Sequence, residues 1–320
     1  MESLEPHRVW IRIPELPLEW VDHLKASFDG VDFWWGNDNQ LDPAWASKAD
    51  IVFTSLVFPD SLFDLLPRLQ WVQFTRGSVF ELLHPALRDS VIPVSVIRTI
   101  DRGQFSEFVM GCILLWAKRF PQFFKAQEKR VWERIMPLEI AGMTVGILGL
   151  GAIGTECAKK ANAFGMRVVA TKRKMIDKPE FIDELWTAER LPDLLSQADF
   201  LVICLPSSPE VDGLLDFDAC KLMKRTAYLV NVTADRVIPE HVLVKVLKER
   251  WIAGAALDAF PRQPLPPDSE LWDLDNLVIT PRVGGFTPNR WKRLIPVFKN
   301  NLQRYLSGQE LDVIDKRIGY

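Results

Sequence analysis

Residues 144–154 read TVGILGLGAIG, and the fold turns on this stretch. Thr144–Leu148 is an apolar run of strand length, and Ile153–Phe164 follows with helical spacing. Between them Gly149, Gly151 and Gly154 form G-x-G-x-x-G, and another apolar run, Arg167–Ala170, begins two residues after Gly165. The glycine spacing alone is weak. Set between a strand and a helix, with a second strand following, it is the fingerprint of a dinucleotide-binding crossover. Gly149 allows the tight turn, Gly151 lets the backbone approach a pyrophosphate, and Gly154 lets the helix pack closely on the strand. The diphosphate then rests on free N–H groups at the helix start, around Ala152 and Ile153. An NAD site usually places an acid about 20 residues further on. Here that stretch reads Thr171-Lys172-Arg173-Lys174. Cations there suit a 2′-phosphate, so NADP(H) is expected over NAD(H).

Working outward, the alternation continues on both sides. Phe200–Cys204, Ala227–Val230 and Ile252–Leu257 read as further strands, with helices at Leu191–Gln197, Asp218–Lys224 and Pro239–Glu249. Before the glycine loop, Val9–Ile13, Ile51–Thr54, Trp71–Thr75 and Val94–Ile97 read as buried strands. Leu18–Phe28, Asp60–Leu66 and Val79–Leu87 read as the helices between them. Two such series predict an α/β protein with two doubly wound parallel sheets. A helix from Ser106 to about Lys125 is apolar nearly all round, which predicts burial between layers or domains. The last helix, Pro288–Leu306, is amphipathic.

The 320 residues suffice for two domains, and 48% hydrophobic content supports a large core. A net charge of −3 without a long basic run gives no field for nucleic acid or an anionic membrane. Cys112, Cys157, Cys204 and Cys220 lie in apolar surroundings with no CxxC spacing, as expected of buried free thiols in a reducing compartment. No metal site is expected. Residues Met1–Arg8 are charged, and the longest apolar stretch, Phe108–Ala117, is too short to span a bilayer. A cytoplasmic protein is expected.

Five segments together resemble the D-2-hydroxyacid dehydrogenases, the group that includes glyoxylate/hydroxypyruvate reductases: 144–154, ADFLVICLPSSPEVDGLL (198–215), LVNVTADRVIPEHVL (229–243), AGAALDAFPRQPLPPDSELW (253–272) and NLVITPRVGGFTP (276–288). The resemblance implies a flavodoxin-like substrate domain, 1–104 with 287–320, and an inserted Rossmann domain, 105–286. It implies a homodimer through the Rossmann domain and hydride transfer between a nicotinamide and a small 2-oxo or 2-hydroxy acid. It places Asp258 near the nicotinamide carboxamide and Leu205, Pro206, Val232 and Arg282 along the cofactor. It makes Arg76, Gly77 and Ser78, after the Trp71 strand, the substrate-carboxylate loop.

The family's chemistry is replaced. Its substrate-binding arginine falls at Ala234, its glutamate at Gln263 and its histidine at Arg282. Arginine stays protonated at any working pH and cannot serve as the base. Losing a general acid/base removes about 10²–10⁴ in rate. A small Ala234 is expected to open room in the cleft. Gln263 is expected to leave the Arg282 guanidinium free for a ligand, with Arg76 as a second anion grip. Asp235 and Arg236 are expected at the surface near a helix start. His84 and His241 are expected to be ordinary helix residues. The expectation is an oxidoreductase of altered chemistry. The alternatives are a silent NADP(H)-binding sensor or partner subunit, and non-redox chemistry in the same cleft.

Overall fold

The computed structural model describes residues 5–98, 100–174 and 176–319. The chain divides into two compact units: Met1–Ile100 with Thr287–Tyr320, and Asp101–Phe286.

The first unit alternates strands β1 (His7–Arg12), β2 (Val31–Trp35), β3 (Ile51–Thr54), β4 (Trp71–Phe74) and β5 (Val94–Val96) with helices α1 (Leu18–Lys25), α2 (Pro43–Ala46), α3 (Ser61–Leu65) and α4 (Pro85–Asp89). The strands form one parallel sheet in the order β2-β1-β3-β4-β5, the flavodoxin-like order. All residues of β3, β4 and β5 are buried, as a parallel sheet covered on both faces requires.

The second unit opens with α5 (Arg102–Ala117) and α6 (Phe120–Glu128). It continues through β6 (Thr144–Leu148), α7 (Ala152–Ala163), β7 (Arg167–Thr171), β8 (Glu184–Trp186), α8 (Leu191–Gln197), β9 (Phe200–Ile203), α9 (Phe217–Lys221), β10 (Tyr228–Asn231), α10 (Glu240–Lys248), β11 (Gly254–Leu257) and β12 (Leu277–Ile279). Its seven parallel strands run in the order β12-β11-β10-β9-β6-β7-β8. That is the Rossmann order with one strand added beyond the sixth. The apolar α5 packs on the sheet, where Trp116 stacks on Tyr228 at 4.4 Å between ring centroids. A Cβ on Gly254 would lie 2.5 Å from the Asn276 carbonyl oxygen and 2.8 Å from the Trp116 ring, so glycine is required for this approach.

The chain then returns to the first unit with α11 (Arg290–Leu306). Phe298 stacks on Phe53 at 3.9 Å and on Trp71 at 6.1 Å, and Tyr305 stacks on Trp71 at 5.5 Å.

Several elements differ from the sequence reading. The single helix expected over Val79–Leu87 is a 3₁₀ turn, Phe80–Leu82, followed by α4. Pro85 explains this, because the residue before a proline is driven out of the helical region; His84 has ψ 160° and Pro85 begins the next helix. The long helix from Ser106 breaks at Lys118 and Arg119, where Arg119 has φ 61°. Pro121 cannot donate to the Ala117 carbonyl, and the Leu138 N–H takes that acceptor at 2.7 Å. The helix expected at Asp218–Lys224 ends at Lys221. The short strands β2 and β8 were not foreseen; both lie at sheet edges.

Candidate active site in the dinucleotide unit

In a parallel sheet every strand-to-helix loop leaves from the same edge. The loops after β6, β9, β10, β11 and β12 therefore gather along one side of the second unit. The residues singled out from the sequence for this unit stand on these loops and on the turn after β7.

The glycine loop has the geometry its sequence implies. Gly149 has φ 102°, and a Cβ there would lie 3.0 Å from the Cys204 carbonyl oxygen. A Cβ on Gly154 would lie 2.2 Å from the Gly149 carbonyl oxygen, so α7 can begin this close to β6 only with glycine. A Cβ on Gly151 would meet nothing within 4 Å. Gly151 caps α7, and no side chain among the described residues bonds the helix start. An open cradle over an uncapped twelve-residue helix fits a diphosphate.

The three cations after β7 differ in placement. Lys172 turns inward and donates to the Leu150 carbonyl at 2.7 Å, bracing the glycine loop. Arg173 is exposed and pairs with Glu210 at 3.1 Å; Lys174 is exposed beside it. Beneath the loop Cys157 and Cys204 are buried and in mutual contact, which together with burial holds the Cys204 thiol far above its ordinary range.

Asp258, at the end of β11, is buried and fully engaged. Its carboxylate accepts from the Thr280 hydroxyl at 2.7 Å and from the Val283 and Gly284 N–H groups, each at 2.8 Å. Two successive N–H groups can converge on one carboxylate because Arg282 turns the chain with φ 56°. A left-handed arginine costs about 1–2 kcal/mol, a strain offset by these charge-assisted bonds.

Ala234, Gln263 and Arg282 take an arrangement the sequence reading did not foresee. Arg282 forms an ion pair with Asp235, so its guanidinium is held and not free. Asp235 is not at the surface: its side chain is 3% exposed, against 41% for Arg282. The same carboxylate accepts from Gln263 Nε2 at 3.1 Å and from the Ser207 hydroxyl at 3.2 Å. Gln263 Nε2 also donates to the Phe260 carbonyl at 2.8 Å. Ala234 opens no room, because it is fully buried in the apolar cluster with Val237 and Ile238. Asn231 fixes its backbone, donating to the Ala234 carbonyl at 2.8 Å and accepting from its N–H at 3.3 Å. Arg236 is half-exposed and pairs with Asp212 at 3.0 Å, as a surface residue would. Val232 and Leu205 line the loops after β10 and β9, with Pro206 next to Ser207.

Asp235 and Ser207 are the residues sequence reasoning missed. The signal was present: Asp235 and Arg282 carry opposite charges and stand in two of the segments singled out from the sequence. His241 is exposed on α10 and meets Phe217 edge-to-face, away from this network. His84 lies in the first unit before α4. Arg76, Gly77 and Ser78 follow β4 in the first unit, where Arg76 is exposed and the buried Thr75 hydroxyl makes no hydrogen bond. Among the described residues no helix is long and apolar enough to cross a membrane.

Known proteins resemble this chain in sequence and in fold. The chain is 38% identical over 182 residues to a glyoxylate reductase of Thermococcus onnurineus, covering 56% of this chain and 53% of that protein. It thus spans about half the length of that curated relative. Solved structures match along nearly all their length. A D-isomer specific 2-hydroxyacid dehydrogenase from Xanthobacter autotrophicus, in complex with NADPH and MES, shares 26% identity with a TM-score of 0.86, covering 99% of this chain and 100% of that one. An NADPH-dependent glyoxylate/hydroxypyruvate reductase from Sinorhizobium meliloti, in complex with NADP and sulfate, shares 28% identity with a TM-score of 0.85, covering 98% and 100%. Residues 110–284 match the family described as D-isomer specific 2-hydroxyacid dehydrogenase, NAD binding domain, so the chain belongs to that family.

Proposed function

We propose that this protein is an NADP(H)-dependent reductase of small 2-oxo acids or related carbonyl compounds, working without the family's proton-transfer pair. The observation that carries the proposal is the Arg282–Asp235 pair. It keeps a half-exposed guanidinium on the same sheet edge as an intact dinucleotide cradle. The backbone at Gly151 and the start of α7 would hold the diphosphate, and Arg173 with Lys174 the 2′-phosphate. The nicotinamide, when bound, supplies hydride. Arg282 binds an anionic substrate group or polarises the acceptor bond as a fixed positive charge, and Asp235 sets its direction. Gln263 and Ser207 hold Asp235 in turn. Arg76, Gly77 and Ser78 follow β4 in the first unit, which we assign as the substrate domain.

Absorbance at 340 nm tests this under single-turnover conditions, with protein in excess over NADPH and a panel of 2-oxo acids, each with and without ammonium chloride. Loss of absorbance with any member supports the reading. NADPH binding without loss of absorbance favours the second reading, a silent NADP(H)-binding protein, which rests on the absence of a proton donor at Arg282, of its supporting acid at Gln263 and of a carboxylate grip at Ala234.

We also propose a homodimer through the second unit. After α6 the chain exposes Val131, Trp132 and Met136, at 53%, 92% and 83%, beside a groove of about 650 Å³ lined by Phe123 and Ile135. Exposed apolar surface of this kind marks an interaction site. Trp132→Asp should convert a dimer to a monomer in light scattering. A cytoplasmic location accords with the buried thiols.

A further inference from the structure

We infer that the preferred substrate of this site is a 2-imino acid, formed from a 2-oxo acid and ammonia or a small amine, and not the 2-oxo acid itself. The inference rests on the reductase reading above and names its substrate class.

The argument starts from Gln263. Its two amide N–H groups point at two acceptors, Asp235 Oδ1 at 3.1 Å and the Phe260 carbonyl oxygen at 2.8 Å. Neither acceptor carries a proton to give when Asp235 is ionised beside Arg282, so the nitrogen side of the amide must face them. The orientation of the amide is thereby fixed. Its carbonyl oxygen Oε1 is turned away on an exposed residue, and no described residue donates to it. Arg282 bonds the same Asp235 oxygen as Gln263 does. A hydrogen-bond acceptor, Gln263 Oε1, and a cationic donor, Arg282, thus stand side by side, tied to one carboxylate.

A 2-oxo acid offers acceptors only: a carboxylate and a ketone oxygen. One can bond Arg282, but neither can bond Gln263 Oε1. Its reduction also leaves an alkoxide that needs a proton during the step. Ala234 has none to give, Arg282 is a permanent cation, and Asp235 already accepts from Arg282, Gln263 and Ser207. A protonated 2-imino acid offers both kinds of group. Its carboxylate fits Arg282, and its iminium N–H fits Gln263 Oε1.

The chemistry closes without a protein acid. The imine carbon receives a hydride from the reduced dinucleotide and forms the new C–H bond. The C=N π pair moves to nitrogen, which becomes a neutral amine with its N–H bonds intact. Water protonates the amine afterwards. The acceptor is reduced by two electrons and the dinucleotide oxidised by two.

Two measurements on the full-length protein test the inference. In the first, pyruvate, glyoxylate and phenylpyruvate are each incubated with NADPH, with and without ammonium chloride or methylamine, and products are separated by chiral chromatography with mass detection. The 2-amino acid, or its N-methyl form, is expected in at least tenfold excess over the 2-hydroxy acid when amine is present. In the second, alanine and lactate, each as both enantiomers, are titrated calorimetrically into protein saturated with NADP⁺. One alanine enantiomer is expected to bind about tenfold or more tighter than either lactate, as a hydrogen bond from a charged donor implies. Gln263→Met should abolish that preference with unchanged NADP⁺ affinity, while loss of its bonds to Asp235 and the Phe260 carbonyl lowers the melting temperature by a few degrees only. A 2-hydroxy acid product that ignores added amine, or equal binding of the two ligands, overturns the inference and leaves the reductase reading standing. Failure to bind NADPH, or binding with neither product formed, overturns both.

Discussion

Gly151→Ala separates the fold from the ligand in a single substitution. The new methyl would meet no protein atom within 4 Å, and the residue has φ −89° and ψ −160°, extended values open to alanine. Alanine is a poorer helix cap than glycine, but it narrows the unfolded ensemble. The net change in stability should stay within about 0.5 kcal/mol, or roughly 1–2 °C in Tm for a unit of this size. A diphosphate seated on the start of α7 would be pushed off one or two N–H groups. Hydrogen bonds to a charged group are each worth about 1.5–3 kcal/mol, so NADPH affinity should fall at least about tenfold. Gly154→Ala gives the opposite profile, because its methyl would stand 2.2 Å from the Gly149 carbonyl oxygen. Overpacking against backbone costs about 1–3 kcal/mol, and Tm should fall by several degrees. Thermal melting and NADPH fluorescence titration on both variants make the comparison. Unchanged NADPH affinity in Gly151→Ala would refute the placement of the diphosphate over this loop.

Four further outcomes follow from the geometry. Asp235→Ala and Arg282→Ala should each destabilise by about 1–3 kcal/mol, a range reduced from the buried-pair value because Arg282 is 41% exposed; denaturant melts of a double-mutant cycle should show coupling of about 1 kcal/mol, and additivity would refute the pair. Gly254→Ala should cost about 1–3 kcal/mol in the same melts, since its methyl would press on Asn276 and Trp116; a neutral result contradicts the close packing. Arg173→Ser should weaken NADPH relative to NADH by about ten- to hundredfold, and an unchanged ratio would remove Arg173 from 2′-phosphate recognition. Burial pushes the Cys112 and Cys220 thiols up from 9.0 to about 12. Because the folded state keeps these thiols protonated, their contribution is complete below pH 9 and is lost as pH rises toward about 12. Alkaline melting should begin later in Cys112→Ala/Cys220→Ala, measured from each protein's own value at pH 8, and no difference would refute that contribution.

The parts of the fold legible in the sequence were those with strong local signals. β6, the glycine turn and α7 could be placed because strand, turn and helix residues agree over eleven positions. Central strands such as β3 and β4 announce themselves as short apolar runs. β2 and β8 do not, because polar residues such as Asp32 and Glu184 interrupt their apolar runs. The helix breaks at His84 and Arg119 were written in Pro85 and Pro121, and apolar periodicity hid them. In the candidate site, Ala234, Gln263 and Arg282 could be singled out by position alone. That Asp235 pairs with Arg282 could not, because the pairing joins loops 47 positions apart. Whether such residues meet is decided by sheet order.

The return of α11 to the first unit has a consequence for how the chain is made. Phe298, Leu294 and Leu302 complete a core whose other half, including Phe53 and Trp71, is synthesised far earlier. During translation the first sheet therefore waits with one face covered only in part, by α1, while everything from Asp101 to Phe286 emerges and can close on itself. Folding of that inserted segment draws the two ends of the first unit together and shortens the loop whose closure entropy its last helix must overcome. A ribosome-stalled chain ending before Arg290 should accordingly resist protease across the second unit while its first hundred residues are cut.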